Sequence, residues 1–354
     1  MTEDRLAKEI HSTTEALGRP GGGGFDPSSL VSADELAALA AVRATRPEYV
    51  RNALAARPRR QRLSDNPRGR LVILAADHPG RMMTALGADP VGLANRADYL
   101  ARIVRVLAAS PVDGLMATPD VIEDVVVLDA LRRKEGQAGF LGRRLLIGSM
   151  NRSGLAGAAH ELWDMPSAYL HAGDLVAANL DGGKILWRYT AEGEANREAL
   201  ETMAALAELL GELAAVDLPV FIEALAVELK DGRWAVSRSQ AEWLRLVGAA
   251  SSLGPTTARS WLKIPFLRPY ERIAAATTLP ILMLGGPATG NPAALLVDFA
   301  EGLRSGRNVY GALVGRNILY PGSHDPAAMA RAVCHLVHDG AAAEEAARRA
   351  AQPA

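Results

Sequence analysis

The segment LVILAAD at residues 71–77 is a short apolar run that ends in a carboxylate. Its length and its aliphatic, β-branched content are typical of a buried β-strand. Seven more runs with β character follow it, and helical segments lie between most of them. These runs are DGLMAT (113–118), RLLIGSM (144–150), KILWRY (184–189), PVFIEA (219–224), SWLKIP (260–265), PILMLGG (280–286) and NVYGALVG (308–315).

The alternation of strands and helices predicts parallel pairing, because a parallel connection needs a crossover segment, usually a helix. Eight strands over about 270 residues match the size of a (β/α)8 TIM barrel. A doubly wound open sheet is the rival architecture, but no G-x-G-x-x-G motif follows the first strand. We therefore predict an α/β protein whose barrel covers residues 69–340.

The two ends of the chain differ from this pattern. Residues 1–68 read as a helical N-terminal extension that contains a Gly-rich linker, GRPGGGGFDPSS. Residues 341–354 form an Ala-rich tail. We expect the extension to pack on the barrel and not to form an independent domain.

Several helix boundaries can be predicted from capping signals. Ser32 and Glu35 form a capping box at the start of a helix in the extension. Asp89-Pro90 and Asp325-Pro326 are expected to open helices of the barrel, and Gly340 is expected to close the second of these.

The overall composition excludes some classes of function. The chain has 354 residues with 39 Lys and Arg against 40 Asp and Glu, a formal net charge of -1. This balance argues against a nucleic-acid binder, which would show a basic excess. The single cysteine, Cys334, cannot form an internal disulfide, the N-terminal residues lack a secretory signal, and no run approaches the ~18 apolar residues that span a bilayer. We expect a cytoplasmic homo-oligomer without membrane or nucleic-acid partners.

In a TIM barrel, functional side chains gather at the carboxyl ends of the strands. The residues found there are mostly ionisable or glycine. They are Asp77 and His78 after the first strand, Asn151 after the third, Lys184 and Arg188 on the fourth, Glu223 on the fifth, Lys263 on the sixth, Gly285 and Gly286 after the seventh, and Gly315 and Arg316 after the eighth.

Side-chain alternation predicts which of these residues point into the barrel. Glu223 shares a strand face with Phe221, and Lys263 shares one with Trp261. The aliphatic residues on the opposite faces suit the layer beneath the outer helices. We therefore expect Glu223 and Lys263 to point inward, near Lys184.

Two inward lysines beside a carboxylate suggest imine chemistry. A second ammonium near Lys263, together with partial desolvation, lowers its pKa so that a neutral amine can attack a carbonyl. Glu223 could move protons or hold Lys184, and Asp77 could serve the hydroxyl protons of a substrate. Simpler interpretations are a solvated Lys263, an ion pair of Lys184 with Glu223 that closes the barrel, and loop roles for Asp77 and His78.

The glycines after the last two strands suggest a phosphate site. LGGPATG and LVGRN present unobstructed backbone N–H groups at the corner where many barrels bind phosphate, although plain turn chemistry is an alternative. Arg316 adds a charged donor, and Arg188 and His78 are further candidates for substrate contacts. His160 and His171 are too isolated to form a metal-ligand set, so we expect neither a metal nor another cofactor.

The segments LAADHPGRMM, GGKILWRY, PVFIEAL, WLKIPF, MLGGP and LVGRNILYP together resemble the class I, Schiff-base aldolases of the deoxyribose-phosphate aldolase superfamily. The resemblance is greatest to the branch with tagatose-1,6-bisphosphate aldolase and the barrel-type class I fructose-bisphosphate aldolases, and it covers about residues 70–340. It implies an imine at Lys263, with Lys184, Glu223 and Asp77 as catalytic partners. It also implies phosphate binding by Gly285, Gly286, Gly315 and Arg316.

The sequence departs from the sugar-bisphosphate enzymes at His78-Pro79 and at IPFLRP, which stands where the tagatose enzymes have a VEVP-like run. The pattern also resembles a barrel group associated with inositol breakdown. In that group, 5-dehydro-2-deoxy-6-phosphogluconate is split into dihydroxyacetone phosphate and malonate semialdehyde. The resemblance thus implies a lyase that acts on a phosphorylated ketose or keto-acid. A transaldolase-like enzyme, a sugar-bisphosphate aldolase and a non-catalytic barrel that binds a phosphorylated metabolite are the alternatives.

Overall fold

A computed structural model of the protein describes residues 3–18, 25–288 and 290–352. Part of the predicted Gly-rich linker, Thr289 and the last two residues lie outside these ranges. The strands are β1 Leu71–Ala76, β2 Gly114–Ala117, β3 Leu145–Ser149, β4 Gly182–Tyr189, β5 Val220–Lys230, β6 Arg233–Val236, β7 Ser260–Pro265, β8 Ile281–Leu284 and β9 Val309–Val314. The helices are α1 Glu3–Leu17, α2 Ala33–Thr45, α3 Glu48–Ala56, α4 Arg96–Ala109, α5 Pro119–Lys134, α6 Ala172–Ala177, α7 Ala195–Ala215, α8 Gln240–Ala250, α9 Tyr270–Ala275, α10 Pro292–Ser305, α11 Arg316–Leu319, α12 Pro326–Cys334 and α13 Ala343–Ala351.

Eight parallel strands form a closed barrel. Their order is β4-β3-β2-β1-β9-β8-β7-β5, and the pairing of β4 with β5 closes the ring. The ninth strand, β6, pairs antiparallel with the outer half of β5. The predicted (β/α)8 architecture is therefore confirmed. None of the described helices is long and apolar enough to cross a membrane.

The strands separate two hydrophobic layers, as alternation predicts. The inner layer consists of Leu71, Ile73, Ala75, Met116, Leu145, Ile147, Phe221, Leu282 and Leu313. Trp261 packs against this layer. Residues that alternate with these along the strands, such as Val72 and Ile222, belong to the larger core between the strands and the helices. The predicted inward face of the fifth and sixth barrel strands is thus confirmed.

The predicted strands agree with the structure to within one or two residues, except that β5 continues to Lys230 and turns back into β6. The two-residue turn between Lys230 and Arg233 has positive φ at Asp231 (52°) and Gly232 (71°). This is the backbone of a type I′ hairpin, for which Asp-Gly is a favoured pair. The hairpin was not predicted.

Two of the three helix predictions are confirmed. The Ser32 side chain caps α2 in a reciprocal capping box with Glu35, and the helix that begins after Asp325 continues through a π-turn to Gly340, whose φ is 76°. The prediction at Asp89-Pro90 is wrong, because α4 begins only at Arg96 with Asn95 as its N-cap. Asp89 instead forms a turn in which its carboxylate accepts a hydrogen bond from the N–H of Val91.

The chain between α3 and β1 runs beneath the N-terminal ends of the barrel strands. Arg57 Nη2 donates to Asp181 Oδ2 at 2.8 Å, and Arg60 Nη1 donates to Asp113 Oδ1 at 3.1 Å. The same carboxylates accept backbone N–H hydrogen bonds at the starts of β1 and β3, each at 2.8 Å. Two ion pairs therefore connect this segment directly to the barrel.

Replacement of Arg57 by Met should lower the free energy of unfolding by about 3 kcal/mol, because it leaves the buried Asp181 carboxylate without its closest charged partner. Urea denaturation measures the change. Arg62→Met is the matched control, because Arg62 is exposed and has no ion pair among the described residues. Equal stability of the two variants would contradict this role of Arg57.

Candidate active site

Three adjacent strands, β4, β5 and β7, bring two lysines to one carboxylate. The register that aligns Ile222 with Leu262 leaves Glu223 beside Lys263 on the inner face. Glu223 Oε2 lies 2.5 Å from Lys184 Nζ, and Glu223 Oε1 lies 2.9 Å from Lys263 Nζ. Lys184 is fully buried and Lys263 is 5% exposed. The three side chains therefore contact one another inside the barrel, as the alternation of side chains predicted.

The charges of this trio are coupled. Burial alone would raise the pKa of Glu223, but the ammonium groups of Lys184 and Lys263 outweigh burial and hold this pKa well below its usual value. Burial lowers the pKa of Lys263, opposed by Glu223 and assisted by the positive charge of Arg152. Burial also lowers the pKa of Lys184 well below its usual value, so the two lysines must be distinguished by their contacts.

The two lysines differ in the number of carboxylates that they contact. Lys184 Nζ contacts two carboxylates, since Asp77 Oδ2 is 3.4 Å away in addition to Glu223 Oε2 at 2.5 Å. Among the described residues, Glu223 provides the one carboxylate within 4 Å of Lys263 Nζ, and the charges of Arg152 and Arg316 also disfavour the protonated form of this lysine. The positive charge of a protonated Lys263 is therefore neutralised by fewer carboxylates than that of a protonated Lys184.

Asp77 is held by more partners than the sequence suggests. Its Oδ2 accepts from Ser149 Oγ at 2.9 Å and also forms an ion pair with the Arg152 guanidinium. Both residues come from the carboxyl end of β3, and both were missed by the sequence analysis. Ser149 could have been found by alternation, as the last inward residue of its strand, whereas Arg152 follows the strand in an irregular loop.

His78 lies in the mouth beside Asp77. Its Nδ1 is 4.0 Å from Asp77 Oδ1 and has no hydrogen-bond partner among the described residues. Burial, followed by the charges of Arg316 and Lys263, lowers the pKa of His78 well below its usual value. The imidazole is therefore neutral at neutral pH and can exchange hydrogen bonds with a ligand without a change of charge.

The glycines after β8 form the first half of the predicted phosphate corner. Asn317 Nδ2 donates to the carbonyl oxygens of Gly285, Gly286 and Pro287 at 2.8, 3.2 and 3.3 Å. A Cβ at Gly285 would lie 2.6 Å from the Val314 side chain, and Gly286 has a φ of 65°. The carbonyls are thus turned toward Asn317, which fixes the turn after β8 against the residues that follow β9.

The second half of the corner is formed by the residues after β9. The described residues contain no carboxylate within 4 Å of the Arg316 guanidinium and no partner for its Nε, although this side chain is largely buried. Gly315 packs against the His78 ring, where a Cβ would lie 2.7 Å from Cε1. Gly285, Gly286, Gly315 and Arg316 are therefore grouped at one corner of the mouth, and phosphate binding there stays a prediction.

Two arginines at the mouth have different surroundings. Arg188 Nε and Nη1 donate to Asp164 at 2.8 Å and to Glu161 at 2.7 Å, so its guanidinium is largely occupied by the loop after β3. Its predicted contact with substrate remains untested. Arg81, which the sequence analysis missed, is buried with Nε and Nη1 unpartnered among the described residues, and its nearest carboxylate, that of Asp164, is 3.7 Å away.

The lining of the mouth suits an anion. The cations Lys184, Lys263, Arg81, Arg152, Arg188 and Arg316 outnumber the carboxylates near them, which are those of Asp77, Glu161, Asp164 and Glu223. Among residues 3–18, 25–288 and 290–352, no three His, Cys, Asp or Glu side chains are grouped as a metal site would require.

Gly315→Ala should destabilise the protein by about 1–3 kcal/mol, the usual range for an overpacked interior. The new methyl group would press on the His78 ring and still more closely on the Ala75 carbonyl oxygen. Thermal unfolding measures this effect. Gly248→Ala is the control, because this glycine lies in α8 and its Cβ would meet no atom within 4 Å. An unchanged melting temperature for Gly315→Ala would contradict the tight packing.

Comparison with known proteins places the chain in a family. A family model described as Cgl0159-like matches residues 69–334. The structure of Cgl0159 from Corynebacterium glutamicum is similar at 32% sequence identity with a TM-score of 0.79, and the match covers 88% of this chain and 99% of that one. No protein among curated sequences matched significantly.

More distant structures share the fold. An archaeal fructose-1,6-bisphosphate aldolase, solved with its catalytic Lys covalently bound to the carbinolamine intermediate of the substrate, is 19% identical with a TM-score of 0.54 over 82% of this chain and 99% of that one. A fructose-bisphosphate aldolase from Slackia heliotrinireducens is 13% identical with a TM-score of 0.61 over 94% and 98%. At these identities the likeness is one of fold. By the family match and the 32% identity, the chain belongs to the Cgl0159-like family.

Proposed function

We propose that this protein is a class I aldolase that cleaves or forms a C–C bond through an imine between Lys263 and a phosphorylated ketose or keto-acid. The observation that carries the proposal is the Glu223 carboxylate held between Lys184 and Lys263 at 2.5 and 2.9 Å inside the barrel. Two buried ammonium groups that share one carboxylate favour the loss of a proton from one of them.

The chemistry follows from the contacts. Neutral Lys263 attacks the substrate ketone to give a carbinolamine, and loss of water leaves a protonated imine. Glu223, which contacts both lysines, transfers the protons of these steps. In the cleavage direction a carboxylate oxygen of Asp77 removes the proton of the hydroxyl group, the C–C bond breaks to release an aldehyde, and the imine nitrogen takes up the electron pair. Protonation of the resulting enamine and addition of water then release the ketone product and restore Lys263.

Phosphate recognition is the second part of the proposal. The turn of Gly285 and Gly286 and the Arg316 side chain lie at the same corner of the mouth, and Arg316 has no carboxylate within 4 Å among the described residues. A phosphate there would leave the carbonyl carbon of a ketose phosphate near Lys263. Dihydroxyacetone phosphate is the proposed ketone product, and 5-dehydro-2-deoxy-6-phosphogluconate is the candidate substrate.

Other features support this reading. The chain has five lysines, Lys8, Lys134, Lys184, Lys230 and Lys263, and two of them lie buried within 3 Å of one carboxylate. A lysine without a functional or structural role is normally exposed to solvent, because burial of an ammonium group is costly. The archaeal aldolase of the same fold has a catalytic Lys covalently bound to a carbinolamine, which is the intermediate proposed here for Lys263.

Reduction with borohydride in the presence of dihydroxyacetone phosphate should add one substrate-derived group to the peptide that carries Lys263. Peptide mass spectrometry identifies the site, and Lys134, which is exposed, provides an internal control. Lys263→Met should abolish the adduct. Stabilisation of the protein by dihydroxyacetone phosphate without any adduct would favour the alternative of a non-catalytic binding barrel.

Glu223→Gln should shift the pH dependence of imine formation to lower pH by about 1–3 units. The reason is that the negative charge of Glu223 raises the pKa of Lys263, so its removal lets the amine lose its proton at lower pH. The initial rate of reductive trapping, measured as a function of pH, reports the shift. Glu228→Gln is a matched control on the same strand, because Glu228 forms no ion pair among the described residues. A shift to higher pH, or none, would contradict the coupling.

A further inference from the structure

The N-terminal end of the barrel, opposite the candidate active site, carries an arginine cluster formed by Arg68, Arg70, Arg304 and Arg307. These side chains line one cavity of about 400 Å³ at the starts of β1 and β9 and the end of α10. Among the described residues, no carboxylate lies within 4 Å of any of the four guanidinium groups. Arg70 Nη1 donates a hydrogen bond to a neutral group, the carbonyl oxygen of Val337, at 2.8 Å.

This absence of counterions is local and does not extend to the whole face. Below β2 and β4, Arg57, Arg59 and Arg60 are paired with Asp113 and Asp181 at 2.8–3.1 Å. Arginines on the same end of the barrel are therefore neutralised where the N-terminal segment is attached. The arginine cluster holds uncompensated charge in a concave site, an arrangement that attracts anions.

A second cavity, of about 740 Å³, adjoins the first and shares Tyr310 and Arg307 with it. Its wall includes Trp261, Leu63 and Pro280. The rings of Trp261 and Tyr310 meet edge to face with centroids 5.7 Å apart, and both side chains are partly exposed. Each cavity taken singly has a volume in the range of small-molecule sites, and together they join an apolar, aromatic wall to a cationic one.

The turn before β1 is built to hold this geometry. Gly69 has a φ of 70°, and a Cβ there would approach the Tyr310 ring to 3.3 Å. The Asn66 side chain accepts from the N–H of Arg68 at 2.8 Å and donates to the carbonyl of His338 at 3.4 Å. Arg68 and Arg70 are thus displayed from an ordered turn that is pressed against the aromatic wall.

We propose that these two cavities form a binding site for a phosphorylated ligand with a flat, largely apolar ring, of which a nucleoside diphosphate is the test case. The phosphates bind the arginine cluster through charge-assisted hydrogen bonds, and the ring lies against Trp261 and Tyr310. Burial, followed by the charge of Arg68, lowers the pKa of Arg70, and a bound anion would oppose this lowering. Trp261 is two residues before Lys263 on β7, so the ligand would contact the strand that carries the candidate nucleophile.

Isothermal titration calorimetry with ADP, inorganic diphosphate and adenosine tests the proposal on the full chain. ADP should bind with one site per chain and more tightly than either fragment, and its affinity should fall with added salt. Arg68→Gln/Arg307→Gln should weaken ADP binding by at least about tenfold, since each lost arginine removes a charge-assisted contact. Both residues are exposed, so folding of the variant can be verified by circular dichroism.

Two further variants locate the bound ADP. Arg245→Gln removes one exposed arginine of α8 outside the cluster and should leave the affinity unchanged. Arg316→Gln, at the mouth of the barrel, should also leave it unchanged. Absence of ADP binding at millimolar concentration would overturn the proposal. So would binding that survives Arg68→Gln/Arg307→Gln but is lost in Arg316→Gln, because the nucleotide would then occupy the mouth.

Discussion

A carboxylate shared by two buried amines is the constraint around which the mouth of this barrel is organised. Glu223 contacts Lys184 and Lys263 at 2.5 and 2.9 Å, and Asp77 contacts Lys184 at 3.4 Å. Charges in such a place are tolerated only when each has a partner. Strands β4, β5 and β7 must therefore keep their register, because a slip of one residue would turn each of these side chains to the opposite face.

The same constraint also bears on the protonation of the two lysines. The chain of alternating charges Lys263–Glu223–Lys184–Asp77 stabilises its members while both lysines are protonated. Because Arg152 also forms an ion pair with Asp77, three positive charges share two carboxylates. The neighbouring arginines also disfavour the protonated form of both lysines, and so does burial. The geometry of three strand ends thus disfavours full protonation of the two lysines, which is the condition that the proposed imine requires.

The net charge of the chain does not show how the charges are distributed along the barrel axis. The formal net charge is -1, yet both ends of the barrel present concentrated positive groups. At the C-terminal end Arg81 and Arg316 face the mouth without a carboxylate at hydrogen-bond distance among the described residues. At the N-terminal end the arginine cluster has none within 4 Å, while Asp113 and Asp181 are occupied by the N-terminal segment. A balanced composition argues against a nucleic-acid partner, which stays a prediction, but it cannot predict where positive groups are concentrated.

Local periodicity was sufficient for the fold and for part of the site. The eight runs of β character, their spacing and the alternation of Phe221 with Glu223 and of Trp261 with Lys263 predicted a closed barrel with those side chains inside. These features depend on contacts between neighbours in the chain and on the period of a strand, which a sequence displays directly. The Asp-Gly pair at residues 231–232 is a sequence signal for a hairpin, but it lies beyond the predicted end of the fifth strand and was not recognised.

The remaining features depend on contacts between segments that are far apart in the chain. Ser149 and Arg152 meet Asp77 across more than seventy residues, and Arg81 lies near Asp164 in a loop with no periodicity. The start of α4 was misplaced because the Asp89 carboxylate caps a turn and Asn95 caps the helix. The sequence alone determined which residues stand at strand ends and which face they share. Only the tertiary structure decided which charged groups form ion pairs and which do not. The physical reason is that closure of the barrel brings together side chains that are far apart in the chain, and local sequence patterns carry no information on such distances.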